Sequence, residues 1–127
     1  MTVERFRPEH VAGFADVDQA RRFAEVSPQA YTVRHDGEIL VCGGVAELEG
    51  GRGLLWSFVT EAGRRAPHRL HRAARRFLST LAYRRLEATC RGVRACRWLE
   101  ALGFQHEGTL RSWTSDGADF EMYARIR

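Results

Sequence analysis

The 127-residue sequence predicts one α+β (mixed α/β) domain over 1–127, a central and mostly antiparallel sheet of six to seven strands with about four helices packed on it. Three observations carry that expectation. Strand-like and helical periods follow one another in the order β-α-α-β-β-β-α-β-α-β-β. An Asp-Gly pair joins two strand-like runs, and the apolar run "LLWSFVT" sits near the middle of the chain.

Taken in order, "TVERFR" reads as a first strand and Pro8 punctuates it. Between Glu9 and Val26, Val11, Phe14, Val17, Ala20, Phe23 and Ala24 recur at three- and four-residue steps, the period of one or two amphipathic helices. Gly13 and Asp16 or Asp18 divide them, because aspartate caps a helix start and glycine weakens a helix interior. "AYTVRH", Asp36-Gly37 and "EILVCGGVAELE" form a hairpin signal, since Asp-Gly accepts the positive φ of a tight primed turn. Gly43-Gly44 inside the second of these strands predicts a bulge or a close approach by another group. "EGGRG" turns the chain again, and "LLWSFVT" should be covered on both faces near the sheet's centre.

After Glu61 to Arg65 the period changes. Pro67 suits a first helical turn, and Leu70, Ala73, Ala74, Phe77, Leu78 and Leu81 form the apolar stripe of a long helix. "RLEATC" places Leu86, Ala88 and Cys90 on one strand face. Val93 to Leu102 reads as a shorter helix that Gly103 ends as a C-cap. "FQHEGTLR" and "DFEMYARIR" then flank a turn at Asp116-Gly117, with Phe120, Met122, Ala124 and Ile126 in alternation.

Composition narrows the function. With 44% hydrophobic and 28% charged residues the chain is that of an ordinary globular domain. No apolar run approaches the ~20 residues that span a bilayer, and "MTVERFRPEHV" lacks a signal-peptide core, so no membrane partner and a cytoplasmic location are expected. Three cysteines without CxxC spacing argue against a disulfide framework or a zinc site and read as small buried hydrophobes. The net charge of +4 comes from arginine, whose planar donors suit phosphate and make an anionic partner plausible.

The closing segment "RACRWLEALGFQHEGTLRSW…DFEMYARI", a helix, Gly-Phe, a strand with Glu-Gly and a last strand bearing Tyr, resembles the GNAT superfamily of N-acetyltransferases. The resemblance implies acetyl-CoA lying between two splayed strands, Leu54 to Thr60 and Leu86 to Cys90. It implies a phosphate-binding loop at Glu61 to Arg69, and cofactor-binding roles for Phe58, Val59, Thr60, Arg64, Arg65, His68 and Arg69. Free amides at a helix N-terminus are a sound anion site. The departures are specific: with Arg64 at the head of the family's loop pattern, Pro67 and Arg69 stand where small residues usually do, and Leu99 replaces the usual general-acid tyrosine. Glu61, Tyr123 and His106 are the remaining proton carriers by residue type, and no catalytic residue is assigned.

Other constellations have plainer readings. His68 and His71 have metal-ligand spacing but lack companion ligands, so no metal is expected. In the run Arg64, Arg65, Arg69, Arg72, Arg75 and Arg76, the proximal arginines read as phosphate ligands and the distal ones as a solvated helix face, which leaves nucleic acid an unexpected partner. Trp56, Trp98 and Trp113 read as core or interface. No nucleophile elbow, Walker loop or dinucleotide fingerprint is present. Two functions follow: an acetyl-CoA-dependent N-acetyltransferase acting on a small-molecule or protein amine, or a GNAT-like fold kept for binding or assembly without turnover. Small divergent chains of the second kind resemble phage-encoded proteins, which would make this one virion-associated, and a homo-oligomer or an assembly partner would then be expected.

Overall fold

The computed structural model describes residues 1–127 and joins seven strands in one sheet. They are β1 (Thr2–Arg5), β2 (Gln29–His35), β3 (Glu38–Leu48), β4 (Arg52–Val59), β5 (Arg85–Cys90), β6 (Gln105–Leu110) and β7 (Phe120–Ile126), in the order β1-β2-β3-β4-β5-β7-β6. Every neighbouring pair is antiparallel except β4 and β5. The helices are α1 (Val17–Glu25), α2 (Glu61–Arg64), α3 (Pro67–Ser79) and α4 (Val93–Ala101), with a single 3₁₀ turn at Pro8–Val11. No helix is long and apolar enough to cross a membrane.

Adjacent strand residues face opposite ways, and the core divides accordingly. Ala46 and Trp56 pack with Phe6, Val11 and Ala20 under the 3₁₀ turn and α1. Their neighbours Val45 and Leu55 pack with Leu78, Leu86, Ala88 and Leu99 under α3 and α4. Trp56 is buried and donates its indole N–H to Ser27 Oγ at 2.9 Å, so the ring's one polar atom is satisfied inside the core. Trp98 packs against the other cluster, whereas Trp113 is 55% exposed on the β6–β7 connection.

Asp16 caps α1 by accepting from the amides of Asp18 and Gln19, so the helix begins at Val17. Asp36 and Gly37 both have positive φ and make the expected hairpin. Gly103 at φ +92° ends the α4 segment and releases Phe104 toward β6. Gly43-Gly44 does not bulge: the β3–β4 register runs unbroken through both, and the shift lies opposite Leu40, between Val33 and Arg34. Close approach is the operating reason, because a Cβ on Gly44 would stand 2.6 Å from Gln29 O and 2.8 Å from the Trp56 ring. The last connection also differs from a tight turn. Nine residues, 111–119, separate β6 from β7, with Gly117 at φ +84° inside them.

Cys90 and Cys96 are joined in a disulfide, and only Cys42 is free and buried. This corrects the reading of all three as small hydrophobes. A separation of six residues carries no motif signature, yet Gly92 at φ +90° folds the chain straight from β5 into α4 and leaves the two Cα atoms 5.7 Å apart.

Candidate functional site

The parallel β4–β5 ladder holds only three pairs, Arg52–Arg85, Gly53–Leu86 and Leu54–Glu87. Beyond them the two strands part, while β4 stays paired with β3 as far as Val59 and β5 stays paired with β7 as far as Cys90. The sheet is therefore interrupted at its centre. The Thr60 amide donates to Leu40 O at 3.1 Å, so by strand alternation the main-chain groups of Phe58 face β3. Those of Ser57 and Val59, with the Leu55 carbonyl, face the interruption beyond the last β4–β5 pair and have no strand partner. Ser57 is exposed there, although its neighbours are apolar.

Of the three strand positions expected at the site, only Val59 turns its main chain into the gap. Phe58 packs its ring against Phe23 and Trp56 beneath α1. Thr60 is a structural pivot: its hydroxyl donates to Ile39 O at 2.6 Å and accepts from the Gly63 amide at 3.0 Å, capping α2.

The segment Glu61 to Arg69 is not a plain loop. It forms the short helix α2, bends at Ala66 and restarts as α3 at Pro67. Gly63 makes this possible, since a Cβ there would lie 2.2 Å from Leu40 O. Pro67 has no N–H to offer, Leu70 N already bonds to Ala66 O, and the amides of His68 and Arg69 take no partner within the chain. The side chains of Arg64, Arg65, His68 and Arg69 are all exposed around these two donors, and the Glu61 carboxylate pairs with Arg64 at 3.7 Å and Arg65 at 4.0 Å. Arg69 is exposed rather than folded into the core.

Beside the end of β4 lies a cleft of about 340 Å³ that sequence reasoning missed. Glu38, Ile39, Phe14, Thr60, Glu61 and His10 line it, from three separate stretches of chain. Only the isolated Phe14, an apolar residue next to Gly13 and outside the helix that follows, hinted at it in the sequence. His10 is buried, with Nδ1 2.7 Å from Thr32 Oγ1 and Nε2 3.2 Å from Glu4. Burial pushes its pKa below the ordinary value, against the pull of Glu4.

The other proton carriers lie apart. Tyr123 on β7 donates to Glu100 at 2.7 Å, and this bond with a carboxylate raises the phenol's pKa. His106 on β6 meets Glu121 at 2.7 Å, and Thr109 and His106 together lower the Glu121 pKa. Both stand beyond β5 from the gap. Leu99 is buried in the α3–α4 core. His68 and His71 gather no carboxylate or thiol, and no cluster of three metal-ligating side chains occurs.

No family model and no curated relative matches the sequence. Solved structures do match its fold. The chain is similar to an IAA acetyltransferase from Bacillus cereus ATCC 14579, with 14% identity, 99% of each chain covered and a TM-score of 0.77. It is similar to Ard1 from Thermoplasma volcanium, with 15% identity, 98% of this chain and 96% of that one covered and a TM-score of 0.76. It is also similar to a Bacillus subtilis acetyltransferase in complex with CoA, with 12% identity, coverages of 98% and 95% and a TM-score of 0.74. The architecture is that of the GNAT acetyltransferases. At these identities the likeness shows the fold, and function has to be argued from the site.

Proposed function

We propose that the chain is an acetyl-CoA-dependent N-acetyltransferase acting on a small-molecule or protein amine. The parting of β4 from β5 is the observation that carries this reading. It leaves a line of unpaired main-chain groups, the Leu55 carbonyl and both groups of Ser57 and Val59, which an extended amide-bearing chain needs. The line leads toward the His68 and Arg69 amides at the positive end of α3, where Arg64, Arg65, His68 and Arg69 add donors for a pyrophosphate. The residues present thus suit the cofactor, with two amide donors because Pro67 supplies none. CoA-bound structures among the similar folds are consistent with the same use.

When bound, acetyl-CoA supplies an acetyl thioester: the amine's lone pair forms a C–N bond, the C–S bond breaks, and coenzyme A leaves as the thiolate. The main-chain N–H of Val59 faces the gap, where it would stabilise charge developing on the carbonyl oxygen. The cleft beside Thr60 would hold the amine, Phe14 and Ile39 against its apolar part and Glu38 and Glu61 toward its charge. Glu61 is assigned the proton given up by the amine, directly or through water, because it alone among the expected carriers lines that cleft. Holding the amine against a positioned thioester supplies much of the rate in this scheme.

Thermal melting with acetyl-CoA tests the cofactor step, since a ligand bound only by the native state stabilises it. An upward shift is expected, and Arg64→Ala/Arg65→Ala should abolish it. No shift at millimolar cofactor overturns the proposal. Thiol release over a panel of amines tests turnover, with Glu61→Gln expected to lower kcat at least tenfold while the thermal shift persists. A shift without release from any amine would favour the binding or assembly role to which Pro67, Arg69 and Leu99 point.

A further inference from the structure

We propose that the outer face of α3 binds the phosphodiester backbone of double-stranded nucleic acid, on a surface that extends beyond the proposed pyrophosphate site and shares His68 and Arg69 with it. The chain has 20 basic residues, all arginine, against 16 acidic ones. Four of those arginines, Arg69, Arg72, Arg75 and Arg76, lie on α3, which has no acidic residue, so this one helix holds the whole formal excess of +4. Several arginines elsewhere are neutralised in place, Arg21 by Asp18, Arg34 by Glu4, Arg52 by Glu87, and Arg85 by Glu87 and Glu107, and the unpaired ones outside α3 are not gathered four to a single helix. None of the four on α3 comes within 4.0 Å of a carboxylate.

The pattern exceeds what a merely solvated face requires, because the helix's apolar side docks regardless of the sign outside. His68, His71, Arg72, Arg75, Arg76 and Ser79 form one continuous open face of the helix. From His68 to Ser79 it runs about 16 Å at the rise of an α-helix. No apolar side chain lies on it. That decides between anionic partners: a protein interface needs an apolar, water-excluding centre, whereas phosphate backbones are held by arginine and hydroxyl donors through charge and counterion release. Its only rings are the imidazoles of His68 and His71, with no Phe, Tyr or Trp to serve as a base-stacking platform, which favours a duplex over a single strand.

The test is fluorescence anisotropy with labelled 20-base-pair DNA and RNA duplexes of mixed sequence. Binding should weaken about a hundredfold from 50 to 200 mM salt if four arginines release counterions. Arg72→Gln/Arg75→Gln/Arg76→Gln should lose at least tenfold affinity at 50 mM salt and most of the salt slope. Arg94→Gln/Arg97→Gln/Arg111→Gln removes the same charge from other exposed positions and should lose less than threefold. The α3 variant should keep its melting temperature and its response to acetyl-CoA, which separates this site from the cofactor reading. No binding of either duplex at 50 mM salt overturns the proposal. So do equal losses in the two variants, which would reduce the effect to net charge, and equally tight binding of labelled poly-glutamate, which would point to an acidic protein.

Discussion

At the scale of single residues, Thr60 and Gly63 set the entrance to the gap without touching any ligand. Thr60→Ala removes the cap of α2 and the hydroxyl's bond to Ile39 O on β3, and should cost about 1–2 kcal/mol in urea unfolding, with Thr60→Ser restoring most of it. Gly63→Ala forces a methyl against the Leu40 carbonyl and should cost about 1–3 kcal/mol, because backbone on both sides has to move. His10 gives a pH signature. Its folded pKa lies below the unfolded value, so the unfolded chain binds the extra proton first. Its contribution is complete above the unfolded histidine pKa of about 6.5 and is lost as pH falls through the folded value. Urea midpoints should therefore drop from pH 7.5 to pH 5, and His10→Gln should flatten that part of the profile.

At the scale of elements, the disulfide ties the tip of β5 to α4 across a short loop. Cys96→Ser should lower stability by about 2 kcal/mol in the chain-entropy account. Reductant should lower wild-type stability comparably and leave the variant unchanged, as urea melts with and without dithiothreitol would show. The elements themselves were legible from local chemistry: Asp16 as a cap, Asp36-Gly37 as a hairpin and Gly103 as a helix stop each act on residues a few positions away. What escaped was contact between segments distant in sequence. Gly63 reads as a loop glycine until Leu40 is placed behind it, and the Phe14–Glu38–Glu61 cleft joins stretches that share no periodicity. Phe58, Val59 and Thr60 are consecutive, yet the site requires knowing which main-chain groups β3 already holds, and that is a matter of pairing. The cysteine pair was hidden for the same reason, since a six-residue spacing closes only when a strand and a helix meet at Gly92.

At the scale of the whole molecule, the sheet consists of β1 to β4 and β5 to β7 joined through three residue pairs. One core lies beneath α1 on the N-terminal strands, and the other spans the junction beneath α3 and α4. Hydrogen exchange should reveal the arrangement. The amides of Ser57 and Val59 should exchange far faster than those of Trp56 and Phe58 on the same strand, and should slow when acetyl-CoA is added. Uniform protection along β4 in the free protein would contradict the parted strands.

The short β4–β5 ladder has one more consequence. A cofactor spanning the gap would act as a keystone, making each half's melting depend on the other's. The free chain should then unfold over a broader denaturant range than the liganded one, so that transition steepness as well as midpoint reports occupancy.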